Sequence, residues 1–147
     1  MSPAPRHKAV ATWLALAGGV FGLHRFYLHG AKDRWAWLFP LPTLLGLVGI
    51  QRMNALGQDD RLAWLLIPLL GASLVAALLG GIVYGLTPDD RWNARFNADR
   101  AAPTSGWAAI IGVVLCVFLG GITLMSTIAF SAQRYFEAQA DTPADRH

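Results

Sequence analysis

Four stretches of the chain hold no Asp, Glu, Lys or Arg: residues 9–24, 35–51, 62–88 and 101–133. They run for 16, 17, 27 and 33 residues. A helix needs roughly 20 mostly apolar residues to cross a bilayer core. Charge excluded from windows of that length, and confined to short segments between them, predicts an all-α, multi-pass membrane protein. The expected architecture is four transmembrane helices in two antiparallel hairpins, plus a short interfacial helix. Only 14% of the 147 residues are charged, against about 25% in a soluble domain. That deficit excludes a disordered chain, a coiled coil and an ordinary cytosolic enzyme.

Segment one is read as one helix over about 8–27, with Arg25 snorkelling to the headgroups and Phe26 and Tyr27 at the interface. Gly30 is the expected turn residue of the following connection. Segment two covers about 34–56, with Pro40 and Pro42 delaying or kinking its start. After a turn at 57–60, segment three covers about 61–86, with a bend at Pro68. Thr87-Pro88-Asp89-Asp90 has the chemistry of a helix start: a capping hydroxyl, a proline and two carboxylates at the positive dipole end. The short helix that follows, about 88–98, places Trp92 and Phe96 on one face, flanked by Arg91 and Arg95. It is expected to lie on the headgroups. Segment four covers about 107–132, and 134–147 is expected to be a frayed polar tail. As domains, this gives a first hairpin over 1–58, a second over 59–134 and a tail over 135–147. Residues 1–17 are not expected to be a cleaved signal, because the apolar run before Ala15-Leu16-Ala17 is too short.

Small residues recur every four positions. Segment three carries Ser73, Ala77, Gly81 and Gly85, with a parallel row at Ala72, Ala76 and Gly80. Segment four carries Ala108, Gly112, Cys116 and Gly120. Segment one carries Ala11, Ala15 and Gly19, with Gly18 and Gly22 beside them. In lipid, such rows let backbones approach and drive helix pairing. Cys116, the one cysteine, is expected to be a small seam residue.

The stretch Gly19-Val20-Phe21-Gly22-Leu23-His24-Arg25-Phe26-Tyr27-Leu28-His29-Gly30 is the most specific. It resembles the TM-two domain family, a two-transmembrane-helix domain whose bacterial members are described as NINE proteins. The family motif residues are Gly19, Gly22, His24, Arg25, Phe26, Tyr27 and Gly30. The second helix matches more loosely through 43–50. His29 stands where a glycine is usual, Ile50 and Gln51 replace an aromatic pair, and Asn54 stands where an aspartate is expected. The likeness covers about 8–56 and implies no general biochemical activity. In eukaryotic members the loop is cytosolic. Applied to this chain, that puts both connections inside and both termini outside. Counting Lys and Arg on alternate sides of four spans gives six against six and no orientation.

No carboxylate, Lys or Arg lies inside any window, which argues against ion-coupled transport. His24 and His29 are too few to hold a metal, and no nucleophile–base pairing or phosphate-cradling loop is visible. The twelve basic residues form no stripe for nucleic acid. Sequence reasoning therefore expects no enzyme, no cofactor, no metal and no nucleic acid. The expected partners are membrane lipids, with another membrane protein or a second copy of the chain. The expected role is a non-enzymatic accessory or scaffold. The alternative is a small homo-oligomeric pore or lipid-handling protein. The Ala-rich, compact chain suggests a bacterial inner membrane.

Overall fold

The structure, a computed structural model, describes residues 4–98 and 104–140. Every regular element among them is helical. They are α1 (Lys8–Gly18), a 3-10 turn (Gly19–Phe21), α2 (Leu23–His29), α3 (Arg34–Leu38), α4 (Pro40–Leu56), α5 (Arg61–Leu86), α6 (Asp89–Phe96) and α7 (Trp107–Ala140). Two of them, α5 and α7, are long and apolar enough to cross a membrane. In the most apolar stretch of each, only 22% of the residues are buried. A helix at the centre of a soluble domain would be mostly enclosed. These two instead turn Leu65, Leu79, Val83, Val114, Phe118 and Met125 outward, an apolar surface suited to lipid.

α5 is the axis of the bundle, with α1, α4 and α7 packed against it. Its bounds match the expected segment three. Asp60 caps its start by accepting from the Leu62 amide. The α4–α5 seam closes where Gly46 meets the Leu70 backbone and Gly49 meets Leu66 and Ile67. On another face of α5, Gly81 meets Cys116, Ala15 and the Thr12 carbonyl, and Gly85 meets Val113 and Thr12. Ser73 and Ala77 are buried with Gly81, so this row faces the bundle. In the parallel row Ala72 and Ala76 are exposed, while Gly80 sits against the His24 ring. On α7, Gly112 and Cys116 are buried, whereas Gly120 has only ordinary contact with Leu78.

Segment one is not a single helix. α1 stops at Gly18, the chain makes a 3-10 turn, and Gly22 takes a left-handed φ of 75°. α2 then folds back. Lys8, at the start of α1, pairs with Asp89 just beyond the end of α5. His29, at the end of α2, meets Phe96 of α6 at the same end of the bundle. The first apolar window is thus a hairpin that begins and ends on one side. Glycine's freedom at positive φ supplies the reversal. Thr43 of α4 donates a 2.8 Å hydrogen bond to the Val20 carbonyl, one of the acceptors the broken helix leaves without an intrahelical partner. Ser73 Oγ lies 3.1 Å from the same hydroxyl, so helix break, α4 and α5 meet at one polar point.

The chain then passes from α3 into α4 through Phe39, whose backbone is itself helical. Pro40 sits at the first position of α4, where its missing amide costs nothing. α4 descends beside α5 to the opposite end, where Arg52 pairs with Asp60 at 2.8 Å. α7 also runs down α5. Trp13 of α1 donates to the Ala108 carbonyl near its start. Near its end, Arg134 stacks over Trp64 and Phe130. The N-terminal segment and the end of α7 therefore lie at opposite ends of α5, not together as an even count of crossings requires. α7 also continues as helix through Ala140, eight residues beyond the expected end. Its last turns are rich in helix formers and carry an Arg134–Glu137 pair. The rest of the expected tail, 141–147, lies outside the described residues.

Candidate functional site

The end of the bundle that holds the N-terminal segment also holds α2, α6 and the last turn of α5. Two glycines place α2. Gly22 is left-handed and packed so closely that a Cβ there would sit 2.5 Å from the Ala36 carbonyl oxygen. Gly30, with φ 76°, ends α2 and donates its amide to the Phe26 carbonyl. Arg25 Nε then donates to Asp33 Oδ2 at 2.9 Å, and Asp33 Oδ1 accepts from the Trp35 amide to cap α3. Partial desolvation raises the Asp33 pKa. The hydrogen bonds from Arg25 and Trp35, with the nearby positive charge, outweigh it and hold the carboxyl below its usual range. His29 Nδ1 lies 3.8 Å from the same carboxylate.

The second corner of the chain repeats the first. Residues 19–38 and 46–65 are identical at nine of twenty positions, at a constant offset of 27. The shared residues at the corner are Arg25/Arg52, Gly30/Gly57, Asp33/Asp60, Arg34/Arg61, Ala36/Ala63 and Trp37/Trp64. Gly57 also has positive φ, 92°, and donates back to the Met53 carbonyl. Arg52 pairs with Asp60 as Arg25 pairs with Asp33. Trp64 Nε1 donates to the Gln58 carbonyl as Trp37 Nε1 donates to that of Ala31. Ala36 and Ala63 are both fully buried. The sequence carried this repeat in plain view, but its two copies straddle different windows and a window-by-window reading passes over it. It assigns Arg25 a first role: an arginine staple that ties one helix end to the cap of the next. The same chemistry at Arg52, on the far end of the bundle, has the same job.

The repeat leaves some residues unexplained, and they gather at one place. His24 is buried between Phe39 and Tyr84, with ring centroids at 5.3 and 5.8 Å; its counterpart in the second copy is Gln51. His29, whose counterpart is Leu56, faces Phe96 of α6. α6 itself is not a helix resting on headgroups by its aromatic face. Trp92 is 3% exposed. Its ring packs on Tyr84 and Phe96, and its Nε1 donates to the Arg6 carbonyl at 2.8 Å. The amphipathic pattern was right about which residues share a face, but that face covers the end of the bundle.

The N-terminal segment straps α6 down. Arg6 exchanges two hydrogen bonds with the buried Asn97 side chain, and the His7 amide donates to Tyr27 Oη. Lys8 Nζ reaches both the Thr87 carbonyl and Asp89 at 2.8 Å. Asp89 also accepts from Ser105 at 2.6 Å. Lys8 and Ser105 hold its carboxyl down at about 2, so this latch stays ionised at any physiological pH.

Between α2, α5 and α6 this arrangement leaves a cavity of about 280 Å³. Arg25 and His29 of α2, Tyr84 of α5, and Arg91, Arg95 and Phe96 of α6 line it. Arg91 and Arg95 are exposed. Neither has a carboxylate partner within 4 Å among the described residues, and Arg95 lies 5.3 Å over the Phe96 ring. Of the residues singled out in the sequence, the cleft unites Arg25 of the motif with Arg91, Arg95, Trp92 and Phe96 of the short helix. Gly19 lies elsewhere, against Ala77, and Phe26 packs on Trp37. The seam residues are structural contacts away from the cleft. No group of three His, Cys, Asp or Glu side chains suited to a metal occurs among the described residues.

Compared with known proteins, the chain matches no family model, no curated protein and no solved structure.

Proposed function

We propose that the chain is a non-enzymatic integral membrane protein that acts as an accessory or scaffold through its helix seams and the cleft at its N-terminal end. The observation that carries this reading is the distribution of side chains. Small residues face inward along α5, large apolar ones face outward, and polar pairs and staples concentrate at the two ends. A protein so built presents surfaces to lipid and to other helices. The family reading, a TM-two-like hairpin over 1–58, needs two crossings there, and the topology proposed next gives that stretch one. A bacterial inner membrane remains the proposed setting.

The topology we propose is three crossings, made by α3 with α4, by α5 and by α7, plus a first hairpin that enters and leaves on one side. The 23 residues from Arg34 to Leu56 rise about 34 Å as helix, enough for a hydrocarbon core of about 30 Å. This changes the count of charges. Arg6, Lys8, Arg25, Lys32, Arg34, Arg91 and Arg95 fall at the N-terminal end of the bundle, against Arg52, Arg61 and Arg134 at the other. Among the described residues that is seven against three, which supports a cytoplasmic N-terminal end under the positive-inside rule. On four crossings the same ten residues divide five against five.

Reporter fusions test this directly. A cytoplasm-active reporter is expected to work at the N-terminus and to fail at the C-terminus, and a periplasm-active one the reverse. Both termini reporting the same compartment would restore four crossings and end the three-crossing reading. The alternative function, a homo-oligomeric pore or lipid-handling protein, gains one specific support: the cleft is chemically suited to a lipid headgroup.

A further inference from the structure

We propose that the cleft between α2, α5 and α6 binds the phosphate of an anionic phospholipid. This rests on the membrane reading above. Guanidinium groups recognise phosphate through paired, charge-assisted hydrogen bonds. Three of them converge on the cavity, with His29 beside them. Asp33, the carboxylate nearest Arg25, is already engaged by it. Arg91 and Arg95 have no carboxylate within 4 Å among the described residues, so both bring unpaired guanidinium groups to the cleft. Latches not involved in the cleft, through Lys8, Arg6 and Asn97, hold α6 in place, so the two arginines are presented by a fixed helix.

The surroundings favour a lipid over a free phosphate ion. Val83 lines the cleft and is 63% exposed. Leu79 and Leu86, a turn away on either side along α5, are also exposed. Together they form an apolar track leading out of the cavity, which a free ion does not use and an acyl chain does. Trp35, Trp37 and Trp107 are exposed near the same end, where an aromatic belt marks the headgroup level. The unpaired guanidinium charge selects a headgroup that is net negative, such as phosphatidylglycerol, over a zwitterionic one such as phosphatidylethanolamine. The repeat supplies an internal comparison. The other corner has the same staple but no counterpart of His29 and no α6 beside it, and the proposal assigns it no such site.

The test uses the full-length protein in nanodiscs of phosphatidylglycerol and phosphatidylethanolamine in equal amounts, with retained lipid read by native mass spectrometry. Wild type is expected to retain phosphatidylglycerol preferentially. The double variant Arg91→Gln/Arg95→Gln, at two exposed positions outside the seams, is expected to lose that retention by roughly tenfold or more, since hydrogen bonds to charged groups each contribute about that factor. Arg61→Gln, an exposed arginine at the far end, is expected to change nothing. Equal retention in the double variant overturns the proposal. So does retention of both lipids alike, or an equal loss with Arg61→Gln, which marks bulk surface charge only. Displacement of the lipid by millimolar inorganic phosphate reassigns the cleft to the free ion. Resistance to alkaline carbonate extraction separates the two levels. A protein that stays in the membrane without lipid preference loses only the cleft proposal. One that is extracted loses the membrane reading and the cleft with it.

Discussion

Replacing Gly22 by alanine is expected to destabilise the protein by about 2–5 kcal/mol, through two additive causes. The first is backbone strain: φ is 75° and ψ 15°, the left-handed region, which costs an L-residue about 1–2 kcal/mol. The second is steric. The new Cβ would lie 2.5 Å from the Ala36 carbonyl oxygen and 3.3 Å from its carbon. Those are backbone atoms of α3, so no rotamer change relieves the clash, and overpacking of this kind costs about 1–3 kcal/mol. Two controls separate the causes. Gly30→Ala meets positive φ, 76°, but no neighbouring atom within 4 Å, so it carries strain alone, about 1–3 kcal/mol. Gly121→Ala lies in α7 with nothing near it and is expected to gain up to about 1 kcal/mol of helix propensity. Unfolding midpoints in nanodiscs should fall in the order Gly121→Ala, wild type, Gly22→Ala, with Gly30→Ala also below wild type because φ 76° and ψ −179° suit glycine alone. A Gly22→Ala variant that loses no more than about 1–2 kcal/mol, the left-handed strain by itself, would mean that α3 does not press on the turn.

Gly22 also marks where sequence reading stopped. A 16-residue window without charge looks the same whether its helix is continuous or turns back, because hydropathy does not register φ. In the sequence Gly19 and Gly22 belong with the small residues that let helices approach, a role glycine plays equally well. The structure uses Gly22 as a hinge instead, and with that one reversal the crossing count, the placement of the termini and the charge balance all change. Segment three is legible because its 27-residue window without charge is bounded by a turn at 57–60 and by the Thr87-Pro88 start of the next helix, and the structure adds that Asp60 caps it. α6 was half legible. The i, i+4 spacing of Trp92 and Phe96 fixes their common face. It does not say whether that face meets lipid or the bundle, which the strap from Arg6 and Lys8 decides. The last turns of α7 carry charge from Arg134 onward, which hides their helix propensity from a hydropathy reading. The cleft itself joins residues from 25 to 96, and no local pattern brings them together. The repeat of 27 residues was legible all along. It shows which parts of the motif are corner-building, and so leaves His29, Arg91 and Arg95 as the residues that need another explanation.

The largest effect is expected at Gly46, a position the sequence singled out only as part of a loose match. Gly46→Leu should abolish the native bundle, a loss of more than about 4 kcal/mol, beyond what most single substitutions cause. Even a Cβ there would stand 2.7 Å from the Leu70 amide nitrogen and 2.9 Å from its Cα. Leucine adds three further carbons to that collision, so α4 and α5 must separate. Separation opens the Gly49 contact with Leu66 and Ile67 one turn away and the Thr43–Ser73 contact on the other side. Within lipid, the parted apolar faces find acyl chains as good a solvent as each other. What is lost is close packing and the polar contact, and nothing hydrophobic draws the helices back. Gly46→Ala is the graded version, expected to cost about 1–3 kcal/mol. Gly120→Leu is the contrast. It too belongs to a small-residue row, yet its nearest neighbour, the Leu78 Cβ, lies at 3.5 Å, and the added side chain has room to turn outward to lipid. The three variants, compared by unfolding in a denaturing detergent titration, should rank Gly46→Leu far below Gly46→Ala, with Gly120→Leu near wild type. A Gly46→Leu protein that unfolds like wild type would mean that α4 is not seated on α5. The three-crossing topology, which needs α4 to run down that face, would fall with it.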